Sequence, residues 1–392
     1  MSNTQKKNVP ELRFPGFEGE WEEKKLESII KVNSGKDYKH LDKGDIPVYG
    51  TGGYMTSVSG PLSEIDAVGI GRKGTINKPY LLEAPFWTVD TLFYCTPKKE
   101  TDILFILSLF RKINWKVYDE STGVPSLSKQ TINKINRFVP TNKEQQKIGK
   151  FFSKLDRQIE LQEQKLELLQ QQKKGYMQKI FSQELRFKDE NGNDYPEWEN
   201  VMLQKVLKDK TEGIKRGPFG GALKKDIFVE SGYAVYEQRN AIYDISNFRY
   251  YINENKYKEM QSFSVQPNDI IMSCSGTIGR LALIPHNYTK GIINQALIRF
   301  RTNHKIRSEF FLIFMRSNQM QRKILEANPG SAITNLVPVK ELKLIPFPLP
   351  VKFEQDKISQ FIHIINRRIE QSEKKIESLK NRKQGFLQKL FV

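Results

Sequence analysis

The side chains best suited to chemistry in this 392-residue chain are basic groups interleaved with aromatic and amide groups. In the first half they are Lys36, Tyr38 and Lys39, then Tyr54, then Arg72, Lys73, Asn77 and Lys78. In the second half they are Lys215, Arg216 and Phe219, then Lys224 and Lys225, the run Gln238, Arg239 and Asn240, and Arg280. Arg and Lys serve phosphates and guanine edges, and Asn and Gln suit the adenine edge, so the mixture is that of a nucleic-acid reader. Taken singly, each cluster is more often solvated surface than a binding site. Their recurrence at similar places in both halves points to function. A formal net charge of +18 and a pI near 9.5 agree, because such a chain attracts polyanions.

Chemistry for turnover is thin by comparison. Gly69-x-Gly71-x-x-Gly74, with Asp90 downstream, has the spacing of a dinucleotide loop. That loop needs a following helix whose N-terminus faces the pyrophosphate, and Thr75 to Pro79 turns instead. The segment therefore reads as a Gly-rich turn presenting Arg72 and Lys73. The sequence has no phosphate-binding loop of the Walker type and no Asn/Asp-Pro-Pro-aromatic signature of amino-methylating DNA enzymes. Four histidines and two cysteines at unrelated spacings give no metal cluster. No catalytic, cofactor or metal residue is assigned. Cys95 and Cys274, each in an apolar stretch, read as free buried thiols of a reducing cytosol. With no apolar run near 18 residues and no export pattern at Met1–Pro10, the expectation is a cytoplasmic protein with no membrane contact.

The elements that position these groups come in duplicate. Residues 144–181 and 354–391 align without a gap at an offset of 210, identical at 17 of 38 positions. Both copies open Glu-Gln and close on a basic, aromatic-tipped tail, Phe181 and Phe391. At period seven the first copy sets Ile148, Phe152, Leu155, Ile159, Leu166 and Leu169 on one seam. The second sets Ile358, Ile362, Ile365, Ile369, Ile376 and Leu379 there. Apolar a/d positions sustained this far predict long coiled-coil helices, each roughly 55–60 Å in length. The seam turns polar at matched places, Gln162/Ser372 and Lys173/Lys383, a device for fixing register. Thr141-x-x-Glu144 reads as a capping box, and Pro346, Pro348 and Pro350 halt anything helical before the second copy.

The rest is rich in β-formers broken by Gly and Pro, with helical stretches late in each half, Ile103–Val117 and Ser308–Glu326. The fold class expected is α+β: two globular domains separated by two long antiparallel coiled-coil helices, with a pseudo-two-fold internal repeat. The divisions are 1–140, first head; 141–183, central helix; 184–350, second head; 351–392, C-terminal helix. Faint echoes run between the heads. Glu11-Leu-Arg-Phe14 leads to Trp21 as Glu184-Leu-Arg-Phe187 leads to Trp198, and Gly74-Thr-Ile76 recurs as Gly276-Thr-Ile278. Gly123…Leu127…Pro140 is echoed by Gly330…Leu336…Pro350. Head one is nearly neutral, 18 basic against 16 acidic residues over 12–140, whereas head two carries 25 against 18 over 182–353.

With these residues in view the chain resembles the DNA specificity subunits of type I restriction–modification systems. The likeness is carried by the two Glu-Gln helices, the Leu12–Trp21 lead-in, the Gly217-Pro-Phe-Gly220 loop and the Gly-Thr-Ile turns. Two departures stand out: Lys188–Tyr195 interrupts the second lead-in, and head one has no Gly-Pro-Phe-Gly loop. The resemblance implies two target-recognition domains on double-stranded DNA, each reading half of a bipartite, asymmetric sequence, with the helix pair as ruler. Half-sites one turn apart are about 34 Å centre to centre, a spacing that helices of this length can span. It also implies two methyltransferase subunits docked on the helices and motor-nuclease subunits beyond them. S-adenosylmethionine, ATP and Mg are then expected on those partners and none on this chain, which directs adenine N6 methylation or restriction without catalysing either. Two other readings stay open, a self-contained DNA methyltransferase or nuclease, and a coiled-coil scaffold that binds DNA without sequence preference.

Overall fold

The computed structural model describes residues 8–209, 212–326 and 338–392; Gly330 and Leu336 of the exit echo lie outside them. It divides into two compact units. The first comprises residues up to Leu166 together with Gln371–Val392, and the second comprises Glu167–Glu370. Each long helix is therefore shared, its first part belonging to one unit and its second part to the other.

In the first unit the chain enters through β1 (Glu22–Lys25) and β2 (Ile30–Ser34). There follow β3 (Lys43–Gly50), β4 (Gly53–Val58), β5 (Ala67–Gly71), β6 (Tyr80–Leu82), β7 (Trp87–Thr88), β8 (Leu92–Pro97) and β9 (Asn136–Val139). β1 pairs with β9, so the head's first and last strands close on each other from Glu22 opposite Val139. The main sheet runs β2-β8-β5-β6, all antiparallel, and a second sheet runs β4-β3-β7 with β3 and β7 parallel. Helix Ile103–Lys112 covers the main sheet with Phe105, Ile106, Leu109 and Phe110 buried. An antiparallel β5 running into a turn, not a helix, leaves no seat for a dinucleotide.

The second unit repeats this plan although its sequence differs. Its strands are β10 (Glu199–Met202), β11 (Ile214–Arg216), β12 (Phe228–Val229), β13 (Tyr233–Tyr236), β14 (Tyr251–Ile252), β15 (Ile270–Ser273), β16 (Leu281–Leu283), β17 (Gly291–Ile293), β18 (Leu297–Phe300) and β19 (Pro346–Leu349). β10 closes on β19, the main sheet is β11-β18-β15-β16, and the second sheet is β12-β14-β13-β17, with β13 and β17 parallel. Strand for strand this is the order of the first unit, with β12 added at an edge. Helix Ser308–Met315 takes the place of Ile103–Lys112. The single stretches expected at 103–117 and 308–326 are each broken. Ile113 adopts an extended conformation before a 3-10 turn at Trp115–Tyr118, and the Ser317 hydroxyl accepts from the Met320 N–H to start the new helix Asn318–Glu326. Arg299 and Arg301, counted in the charge of head two, are buried, and Arg301 is paired with Asp269, so neither adds to its outer surface.

The long helices are Asn142–Phe181 and Lys352–Lys389, about 60 and 57 Å at 1.5 Å per residue. They pack antiparallel within each unit. In the first, Ile148, Phe152 and Leu155 share a core with Leu387, Leu390 and Phe391; in the second, Ile180 and Phe181 share one with Ile358, Ile362 and Ile365. Of the remaining seam positions, Ile159, Ile376 and Leu379 are buried, while Leu166, Leu169 and Ile369 are half-buried. Aromatic rings brace the ends in the same way twice, Phe14–Phe151–Phe386 in one unit and Phe187–Phe361–Tyr176 in the other, at centroid distances of 4.9–5.5 Å. The lead-ins are tied down identically, the Leu12 N–H donating to the Lys389 carbonyl and the Leu185 N–H to that of Lys179.

The Glu-Gln pair that opens each helix locks it to its head. Glu144, 1 % exposed, takes Nε and Nη2 of Arg13 at 2.8 Å each, so the expected capping-box acid is engaged by the lead-in instead. Glu354, fully buried, takes Nε and Nη2 of Arg186 and also the Trp198 indole N–H. Gln145 donates to the Pro140 carbonyl and accepts from the Asp102 N–H, the residue capping helix Ile103–Lys112. Gln355 does the same with Pro350 and Arg307, at the start of helix Ser308–Met315.

Two expectations follow. Cysteines placed at 152 and 386 should crosslink faster than cysteines at 152 and 362, since positions 362 and 386 lie about 36 Å apart along one helix; the reverse order would mean a parallel pair. Truncating one partner of a buried ion pair strands the other charge, so Glu354→Ala should destabilise by about 3–5 kcal/mol in urea unfolding. Glu144→Ala should cost less because its carboxylate has no indole to satisfy, and equal, negligible losses would show that the locks do not hold the heads.

Candidate nucleic-acid interface

In the first head the separate basic clusters converge on one short segment, residues 88–91. The loop bearing Lys36 and Lys39 is fixed there by Lys36 N–H to Thr88 O and by the Trp87 indole donating to Lys36 O at 2.8 Å. Gly35 is required, since a Cβ would lie 2.0 Å from the Val89 carbonyl. Tyr49 receives the Val89 N–H, and its ring stands edge-on to Tyr54, which is 64 % exposed. Arg72 and Lys73 both donate backbone N–H groups to the Thr91 carbonyl. The Arg72 guanidinium lies 5.9 Å from the Phe93 ring centre. Arg72 and Lys73 also line a cleft of about 380 Å³ with Phe93, Ser126, Ser128 and Lys129. Asn77 and Lys78 are exposed on the turn between β5 and β6.

The second head repeats the convergence at residues 294–296. Gly217 N–H donates to Leu297 O as Gly35 N–H does to Leu92 O, and a Cβ on Gly217 would lie 1.8 Å from the Asn294 carbonyl. Tyr236 receives the Asn294 N–H as Tyr49 receives that of Val89. Cys274 N–H donates to Ala296 O in the place of Arg72 on Thr91. The three segments collected here carry Arg216 and Phe219, then Gln238 and Arg239, then Arg280. Phe219, at 92 % exposed, projects from the Gly-Pro-Phe-Gly loop with its whole ring in solvent. Lys224 and Lys225 are exposed on the following 3-10 turn, and Arg280 is exposed beside two positive-φ glycines, Gly276 and Gly279. Burial pushes the Cys274 thiol up to about 11, with nearby Arg216 opposing, so the thiol stays protonated.

Four expected readers are given other work. Asn240 is buried; its Oδ1 accepts the Glu237 N–H to complete a capping box, and its Nδ2 donates to the Ile245 and Asn247 carbonyls. Both amide N–H groups are spent and the side chain is buried, so Asn240 has no donor left for an adenine edge. Tyr38 packs half-buried against Val48, Val58 and Trp87. Lys215 places its ammonium 4.7 Å from the Phe263 ring centre. Gln238 spends an amide N–H on the Ser275 carbonyl, tying one loop to the next. Two exposed groups were missed in the sequence, Lys129 in the Arg72 cleft and Tyr243, 69 % exposed after helix Gln238–Tyr243. Neither sits in a basic-aromatic cluster, the signal used to find the others.

An arginine that reads a guanine edge contributes about 1–3 kcal/mol at one position, whereas a phosphate-binding lysine contributes equally on every sequence. Arg239→Ala should therefore relax one half-site and leave the other intact in binding selection on randomised DNA. Lys224→Ala should weaken binding to all sequences and lower the salt slope by about 1. Loss of preference in both half-sites together would show that the heads do not read separately.

Comparison with known proteins places this geometry. Residues 18–171 and 220–381 match the family described as type I restriction modification DNA specificity domain. The chain is 25% identical over 298 residues to the MjaX specificity subunit of a type I restriction enzyme of Methanocaldococcus jannaschii, covering 74% of this chain and 67% of that one. It is 24% identical over 342 residues to the MjaVIII specificity subunit of the same organism, covering 82% and 75%. In fold it is similar to the type I restriction–modification S subunit from M. genitalium, with a TM-score of 0.63, 15% identity and coverage of 98% and 99%. A chain from a structure of type I system assembly gives 0.58, at 14% identity over 94% and 97%.

Proposed function

Because the chain belongs to the type I restriction–modification DNA specificity family, we propose that each head reads one half of a bipartite, asymmetric DNA target. The observation that carries this reading is the doubled convergence. The same three backbone segments meet at 88–91 and at 294–296, yet the side chains they present differ. Like geometry with unlike side chains suits two unlike half-sites. Base edges are read by the side chains at the loop tips, while the frame beneath sets their position.

The partners follow from the repeat. The long helices offer like surfaces twice, once in each unit, which supports docking of two copies of one methyltransferase subunit. Those subunits would supply S-adenosylmethionine and the adenine N6 chemistry, and motor-nuclease subunits would supply ATP- and Mg-dependent cleavage. This chain contributes recognition and spacing, with no catalytic residue of its own. No helix among the described residues is long and apolar enough to cross a membrane, and work on DNA supports a cytoplasmic location for the chain.

The experiment is a methylation assay on the purified chain, with and without its partners. The chain alone should transfer no methyl groups and hydrolyse neither ATP nor DNA, and adding methyltransferase subunits should produce adenine methylation at one bipartite motif. Turnover by the chain after rigorous removal of partner subunits would falsify the proposal.

A further inference from the structure

The two units differ at one matched place on the helix pair. In the first, the seam lysine Lys383 and Arg111 both donate to the carboxylate of Asp156, closing a three-membered charge cluster. The repeat puts Lys173 where Lys383 stands, and Arg316, just past helix Ser308–Met315, in the role of Arg111. It also puts Asn366 where Asp156 stands. The second unit has therefore kept both kinds of cation and lost the anion.

Beside these two cations lies a cleft of about 940 Å³, lined within this unit by Lys173, Lys174, Lys179, Arg316, Arg322 and Lys323. Among the described residues one acid lines it, Glu184, which lies 3.3 Å from Lys179 and neutralises that charge. Arg316 spends Nη2 on Asp244 and on the Leu281 carbonyl. Among the described residues no carboxylate pairs with Lys173, and burial, then Arg316, push its amine below the ordinary lysine range. A half-buried cation without a counter-charge is costly, and an anion entering the cleft would offset that cost. Several cations set around a volume this large suit an anion of more than one charge, and guanidinium groups bind phosphate oxygens in pairs.

We propose that this cleft is a phosphate site, separate from the base-reading loops, in which a phosphate-bearing anion supplies the counter-charge that Asp156 supplies in the first unit. Inorganic pyrophosphate is the probe, titrated calorimetrically into the full chain at fixed ionic strength. Pyrophosphate should bind, and should raise the melting temperature more than chloride at matched ionic strength. Lys173→Met should weaken binding about tenfold, the equivalent of about 1.4 kcal/mol. Asn366→Asp should supply the missing carboxylate from within, raising the melting temperature in anion-free buffer and abolishing the response to pyrophosphate. Displacement of pyrophosphate by a short duplex would assign the site to the DNA backbone, and retention of pyrophosphate on the DNA-bound protein would assign it to a free phosphate compound. Pyrophosphate without effect beyond chloride, or both variants responding as the unaltered chain does, would overturn the proposal.

Discussion

Everything in this molecule depends on a buried carboxylate at the start of each long helix. Glu144 and Glu354 are nearly inaccessible to water, so each must be paired to exist as a charge, and each is paired with an arginine 131 or 168 residues earlier in the chain. The same guanidinium groups also reach lead-in carbonyls, Gly19 for Arg13 and Pro196 for Arg186. One interaction thus fixes three things together: the lead-in, the helix and, through the adjacent glutamine, the helix lying on the main sheet. Aromatic burial completes the clasp from the other side, with Phe391 stacked on Phe105 and Phe181 edge-on to Phe314. Each head is held by the start of one long helix and the end of the other.

A frame held this firmly frees the loops it carries. The glycines that let Gly35 and Gly217 approach a neighbouring carbonyl are needed by the backbone crossing, not by any ligand, and they recur for that reason. The side chains around them are not bound by that requirement. One head presents Arg72, Lys73 and Tyr54 where the other presents Arg216, Phe219 and Arg280, so the side chains of one can change without altering the backbone crossing beneath. The same separation of frame from content explains why the heads share a strand order while hardly sharing a sequence.

The long helices were legible because their signal is periodic: an apolar seam sustained over several heptads and then repeated at a fixed offset admits few other structures. The doubled heads were legible only at their edges, where the Leu-Arg-Phe lead-ins and Gly-Thr-Ile turns are tied to the frame. Their matching sheets were not, because strands of two to eight residues assembled from distant segments leave little pattern in the chain. The candidate interface was visible as composition, and its geometry was not. Asn240 looked like an adenine reader because its neighbours are Gln238 and Arg239, and nothing local reveals that its amide caps a helix. The role of Glu144 was likewise misread, because a capping box and a long-range ion pair ask for the same residue type.

The central claim is that two heads, positioned alike but furnished differently, each specify half of one target. Sequencing the methylated adenines of a host carrying this chain and its methyltransferase partner, beside a host lacking only this chain, tests that claim most directly. The account predicts that one motif disappears with the chain, and that this motif consists of two unlike specified halves separated by unspecified bases. An unchanged methylation pattern, or loss of a motif that is continuous or palindromic, would contradict it.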